Sequence, residues 1–187
     1  LTAAEGLWCL DPLDGTSNFA AGIPCFGISL ALIRGGAVEL GIIYDPLRDE
    51  CFSAARGAGA HLNDRPLQAA DTGIELKRAV AVVDFKRLEP ALRRRLVEAP
   101  PYSSQRNFGS CALEWGWIAA GRGHVHLHGG QKLWDLAAGS LILAEAGGSC
   151  RTLEGEAVFV PRLTPRSVVS ASDPQLFTAW RDWLANI

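Results

Sequence analysis

Residues 28–59 read ISLALIRGGAVELGIIYDPLRDECFSAARGAG, and this stretch decides the fold class. β-Branched and apolar residues run from Ser29 to Arg34, from Ala37 to Tyr44 and from Glu50 to Ala55. Between them stand Gly35-Gly36 and Asp45-Pro46, and Gly57 and Gly59 follow the last run. Short runs with strand-forming side chains, punctuated by glycine, proline and aspartate, predict strands joined by hairpins: an antiparallel meander.

Upstream, the apolar run Leu7 to Leu10 predicts a buried strand that ends at Asp11 and delivers the next residues to a sheet edge. Downstream the period changes. Ala79 to Val83 reads as a strand, and Glu89 to Glu98 as a helix stopped by Pro100 and Pro101. A helix is expected from Ser110, a capping residue, to Ala120, with Gly121 to end it. His124 to His128 alternates as a strand, Leu133 to Ala146 is helical and closed by Gly147-Gly148, and Ser167 to Ser170 is a last strand. Phe177, Trp180 and Leu184 then recur at the spacing of a terminal amphipathic helix. A strand block followed by alternating helices and strands implies mixed sheets with helices packed on them, an α+β protein.

Composition bounds the function. The chain has 187 residues, 48% of them hydrophobic, enough for one core, so a single domain over residues 1–187 is expected. A net charge of −2 leaves no surplus cation for a nucleic acid or an anionic membrane, so neither is an expected partner. Five cysteines, an odd number without a CxxC pair, read as reduced thiols, which with the lack of a membrane-length apolar run or a leader pattern at Leu1 predicts a cytoplasmic protein.

The chemistry concentrates in Asp11-Pro12-Leu13-Asp14-Gly15-Thr16. Two carboxylates three residues apart on a tight turn can converge on one point, and hard cations such as Mg²⁺ prefer clustered oxygen donors. Pro12 stiffens the turn, and Gly15 leaves room for a ligand to approach the backbone. If Gly15 to Phe19 opens a helix, the free amides of Gly15 and Thr16 face an anion. By turn chemistry alone the same stretch is also an ordinary surface loop. Asp135 stands near the start of the helix beginning at Leu133, where a carboxylate is favoured in any case. The small residues Ala137, Ala138 and Gly139 let that helix end approach another backbone closely.

Taken together, DPLDGTSNF at residues 11–19 and WDLAAGSLILAEAGG at residues 134–148 resemble two signatures of the inositol monophosphatase family, the Mg-dependent, lithium-sensitive phosphatases. Gly109-Ser110-Cys111 and GAGAHLN at residues 57–63 follow the family's order. The resemblance implies a layered αβαβα sugar-phosphatase fold with mixed and antiparallel sheets, whose N-terminal helical part this chain lacks. It implies Asp11, the Leu13 carbonyl, Asp14 and Asp135 as ligands of catalytic Mg²⁺, with Asp14, Leu13 and Asp135 also beside the substrate. Gly15 and Thr16 would hold phosphate, Thr16 would orient the attacking water, and Gly109, Ser110 and Cys111 would line the alcohol side. A homodimer acting on a small phosphorylated metabolite completes the expectation.

Two departures stand out. The family's Gly-Glu-Glu motif lies further upstream than this chain extends, and Glu5 in Ala4-Glu5-Gly6 does not fit it, so the chain by itself is expected to be nearly inactive. His128 occupies the place where inositol-specific members carry a glutamate that binds substrate hydroxyls. Imidazole offers one donor and one acceptor in its stead. An inositol phosphate or related sugar or polyol phosphate is the first expectation; histidinol phosphate, fructose bisphosphate and 3′-phosphoadenosine phosphates are rivals. A non-catalytic module that binds the transcription machinery is the reading from another class.

Other features take plainer readings. His124, His126 and His128 share a strand face and are expected to be a polar face with His128 alone reaching substrate, rather than a transition-metal site. Cys111 reads as a core filler, Trp115, Trp117, Trp180 and Trp183 as core or interface anchors, and Arg93-Arg94-Arg95 as a solvated helix face.

Overall fold

A computed structural model describes residues 6–68 and 73–186; Leu1 and Glu5, singled out above, lie outside the described residues. The meander forms as expected. Strands β1 (Leu7–Asp14), β2 (Gly27–Arg34), β3 (Ala37–Asp45), β4 (Glu50–Ala55), β5 (Ala60–Leu62) and β6 (Arg65–Leu67) make one antiparallel sheet in chain order. Gly35 and Gly36 both have positive φ, 59° and 82°, the backbone that a two-residue hairpin turn with matching twist requires. At the next turn Asp45 Oδ1 accepts the amides of Leu47 and Arg48.

The edge strand β1 runs further than expected. Asp11 to Asp14, anticipated as a tight turn, belongs to the strand and contains a bulge: Asp11 pairs with Ser29 and Asp14 with Gly27, so three steps on β1 match two on β2. Residues three apart on a regular strand face opposite sides. The extra residue restores Asp11 and Asp14 to one side, and Pro12, which cannot donate to a ladder, sits where no ladder bond is needed.

The second sheet is mixed, ordered β10 (Ser149–Arg151), β11 (Arg166–Ala171), β9 (Val125–Gln131), β7 (Val80–Asp84), β8 (Ser104–Arg106). β7 runs parallel to β8 and β9, whereas β11 is antiparallel to both of its neighbours. The helices are α1 (Thr16–Ala20), α2 (Pro90–Glu98), α3 (Cys111–Ala119), α4 (Leu133–Glu145) and α5 (Pro174–Ala185).

α3 and α4 are apolar nearly all round and lie between the sheets, as helices of that composition must. Their close approach depends on absent side chains: a Cβ on Gly41 would stand 2.7 Å from the Ala138 carbonyl oxygen, and one on Gly139 would stand 2.3 Å from Trp115 Cβ. A second core under the far face of the mixed sheet joins Leu92 and Leu96 of α2 to Leu176, Phe177 and Trp180 of α5. The layers are therefore sheet, helices, sheet, helices. The outer helical layer that the family resemblance implies has no counterpart among the described residues, and Trp8, Leu10 and Ile28 on the outer side of the first sheet are exposed.

Trp115 and Trp180 are fully buried and Trp117 nearly so, Arg93 to Arg95 are exposed, and all five cysteines are free. The three histidines depart from the expected polar face. His126 is fully buried, His128 is 6% exposed, and the Nε2 of each lies 3.6 Å from a carboxylate oxygen of another element. No helix among the described residues is long and apolar enough to cross a membrane.

Candidate active site

The bulged end of β1 and the start of α4 meet. Carboxylate oxygens of Asp11, Asp14 and Asp135 lie within 4.8 Å of one another, and no other group of three metal-ligating side chains occurs among the described residues. Asp135, in the first turn of α4, accepts the Lys132 amide at 2.8 Å. Asp14 is buried, and its Oδ2 accepts the Ser110 hydroxyl at 2.5 Å and the Ala112 amide at 2.7 Å, so the start of α3 grips one carboxylate oxygen. Ser110 also caps α3, its Oγ accepting the Leu113 amide.

Electrostatics mark this cluster as strained without a counter-charge. Burial pushes the Asp135 carboxyl up to about 6, against the Lys132 hydrogen bond, and the neighbouring Asp14 and Asp11 push it further in the same direction. Asp14 is raised chiefly by burial, partly offset by Ser110 and Ala112, with Asp11 adding to the rise. Carboxylates crowded at low dielectric need a cation or a proton, and an all-oxygen donor set suits a hard divalent ion.

Other expected residues gather around the cluster. The Thr16 hydroxyl donates to the Leu13 carbonyl at 3.0 Å, which joins the two motif positions and leaves the Thr16 oxygen's lone pairs able to accept from a water. Gly15 caps α1 with φ 86°; a Cβ there would lie 2.9 Å from the Cys25 carbonyl oxygen, so both its backbone angle and its surroundings require glycine. Ser110 is fully buried, its hydroxyl turned to Asp14. Cys111 is held as a neutral thiol, its pKa pushed well up by burial and then by Glu114, Asp14, Asp135 and Asp84.

His128 is not a member of the acidic triad. Its Nδ1 accepts the Gly130 amide at 3.0 Å, so the ring proton sits on Nε2, 3.6 Å from Asp84 Oδ2. Burial lowers its pKa while Asp84 works against that.

Three contributors escaped the sequence reading. Asn18 donates to the carbonyls of Cys25 and Phe108, both at 2.7 Å, bridging the β1–β2 connection to the segment before α3. Glu114, 2% exposed, accepts the amides of Phe108 and Gly109. Asp84 supplies the partner of His128. Only Asn18 carried a signal, as a side-chain amide inside the most informative motif; Glu114 and Asp84 act across the fold.

Comparison with known proteins finds the same fold among solved structures and similar sequences among curated proteins. Among solved structures, the extragenic suppressor protein SuhB from Bartonella henselae superposes with a TM-score of 0.82 at 32% identity, over 96% of this chain and 73% of that one. Inositol monophosphatase-II from Staphylococcus aureus MSSA476 gives a TM-score of 0.84 at 27% identity, over 96% of this chain and 68% of that one. Among curated sequences, inositol-1-monophosphatase from Mesorhizobium japonicum is 40% identical over 156 residues, 79% of this chain and 57% of that protein. Nus factor SuhB from Pasteurella multocida is 41% identical over 148 residues, 75% of this chain and 54% of that protein. The chain thus spans about half the length of the curated relatives it matches. The family model described as "Inositol monophosphatase family" matches residues 1–183, and with the α+β fold and the converging acidic cluster this places the chain in the inositol monophosphatase family.

Proposed function

We propose that the full-length protein is a Mg²⁺-dependent phosphomonoesterase acting on a small phosphorylated polyol or sugar, inositol phosphate or a relative of it. The convergence of Asp11, Asp14 and Asp135 carries this reading, because carboxylate oxygens from two remote segments meet within 4.8 Å of one another. Those three side chains, with the Leu13 carbonyl, would hold Mg²⁺. When bound, such an ion neutralises charge on a phosphoryl group and lowers the pKa of a coordinated water.

The chain's own groups do the rest. Asp14 is aimed by Ser110 and Ala112, and Asp135 by the Lys132 amide. The Gly15 and Thr16 amides, at the start of α1, would hold phosphate, and the Thr16 oxygen can accept from the attacking water. Gly109 and Cys111 would line the alcohol side over the buried Ser110, which acts through Asp14, with His128 beyond them. A cytoplasmic homodimer, inhibited by lithium and with neither nucleic acid nor membrane as partner, completes the proposal.

A second reading follows from the relatives named Nus factor: a regulator that binds the transcription machinery. One panel separates the two. Full-length protein with Mg²⁺ is assayed for phosphate release from inositol 1-phosphate, fructose 1,6-bisphosphate, histidinol phosphate and 3′-phosphoadenosine 5′-phosphate, beside Asp14→Asn and Asp135→Asn. Release from at least one ester that either substitution abolishes supports the phosphatase. No release from any, with capture of RNA polymerase or its elongation factors, supports the regulator.

A further inference from the structure

The buried carboxylate of Glu114 has no part in the chemistry described above, yet it lies directly under the segment that grips Asp14. Its Oε1 accepts the Phe108 amide at 2.9 Å and the Gly109 amide at 3.3 Å, reaching back over the first turn of α3. The Phe108 carbonyl is held in turn by Asn18, so both sides of this residue are anchored. Gly109 then turns with φ 74°, Ser110 follows, and its hydroxyl meets Asp14 Oδ2. A wholly buried carboxylate is costly unless its bonds matter, and an apolar side chain here would strand the Phe108 amide and leave the Gly109 amide only its 3.0 Å bond to Asn107 Oδ1. The second oxygen stands 3.6 Å from His126 Nε2, a buried nitrogen with no hydrogen-bond partner.

We propose that Glu114 is a positioning residue for the acidic site: by holding the Phe108 and Gly109 amides it sets Ser110 and the Ala112 amide against Asp14. This deepens the metal-site reading above. Because the contacts are hydrogen bonds to a carboxyl oxygen, an amide oxygen serves as well, and a hydrocarbon does not.

The test compares full-length wild type with Glu114→Gln and Glu114→Leu. In metal-free protein, amide exchange at Ala112, read by NMR, is expected to quicken about tenfold in the leucine variant while Ile142 in α4 keeps its rate, and Mn²⁺ is expected to bind about tenfold more weakly. Glu114→Gln should stay within about twofold of wild type on both measures. Unchanged Ala112 exchange in Glu114→Leu, or equal damage from Gln and Leu, overturns the proposal. Should the leucine variant not fold, Glu114→Asp, one methylene short of the amides, must show the same loss or the idea falls. If wild type binds no Mn²⁺, the metal reading fails by itself; the exchange rates, taken without metal, still decide the positioning.

Discussion

The Ser110 hydroxyl donates to Asp14 Oδ2 at 2.5 Å, across 96 positions of sequence and out of contact with solvent. The bond joins the cap of α3 to the bulged edge of the first sheet and favours the ionised form of a carboxyl whose pKa burial raises. Ser110→Ala removes a hydrogen bond to a buried charged group, a loss of about 2 kcal/mol. It also loosens the carboxylate's aim, for which second-sphere precedents give about a 10–100-fold fall in metal affinity or turnover. Urea unfolding and a Mg²⁺ titration of phosphate release read the two effects. Wild-type values on both would show that Ser110 is a bystander.

Stability without metal should fall between about pH 6.5 and 8. Asp135 is pushed up to about 6 and Glu114 to about 7, so the folded chain retains protons that the unfolded chain has released. Groups raised on folding stabilise fully below their unfolded values, near 4, and lose that contribution as pH rises through the folded ones. His126 has the opposite sign: burial lowers it from 6.5 to about 3, so its contribution is complete above about 6.5 and fades in acid. Below pH 6.5 the two signs oppose, with His124 and His128, which burial also lowers, siding with His126; above it the histidine contributions saturate and the carboxyls dominate. Thermal melts in chelator-treated buffer should therefore show a falling Tm over that window, flatter in Glu114→Gln. A rise from pH 6.5 to 8 would contradict the burial assigned to these carboxyls.

Much of this architecture was readable locally, and the failures have a common cause. Gly35-Gly36 states its own hairpin, Pro90 and Pro174 open helices at their first turns, and the apolar sequence of α3 and α4 allows only an interior position. The acidic cluster was readable because Asp11, Asp14 and Asp135 sit in distinctive stretches. The bulge that turns Asp11 and Asp14 to one side was not, since strand parity depends on the pairing with Ser29 and Gly27. β8 and β10, three residues each, have no period to detect, and their places come from neighbouring strands. The grip of Asn18 on Phe108 spans 90 positions, and no spacing rule reaches so far.

Gly139→Ala offers a test of the packing that carries Asp135. In an exposed helix this exchange gains up to about 1 kcal/mol. Here the added carbon would meet Trp115 Cβ and Cγ at 2.3 Å. Trp115 cannot yield readily: it is fully buried, and its Nε1 donates to Gln131 Oε1 at 2.8 Å. Overpacking costs about 1–3 kcal/mol, so the sign should reverse and the variant lose stability in denaturant unfolding. A stabilised Gly139→Ala would mean that α3 and α4 lie further apart than described.

His128 is the obvious position at which to restore the glutamate of inositol-specific relatives, but the structure argues against a simple exchange. Asp84 Oδ2 stands 3.6 Å from the imidazole Nε2, so a carboxylate introduced at position 128 would face a second one in a largely buried setting. Like charges so placed force one group to hold a proton, which removes the acceptor the change was meant to supply. The Gly130 amide, now bound by Nδ1, would also have to find a new acceptor. His128→Glu alone is therefore expected to lower stability and leave inositol 1-phosphate turnover no better. His128→Glu with Asp84→Asn removes the repulsion and should exceed the single variant in both. The pair is scored as a double-mutant cycle on kcat/KM and unfolding free energy, where a positive coupling is expected for residues in contact. Additive effects would show that Asp84 and His128 do not act on the same part of the substrate side.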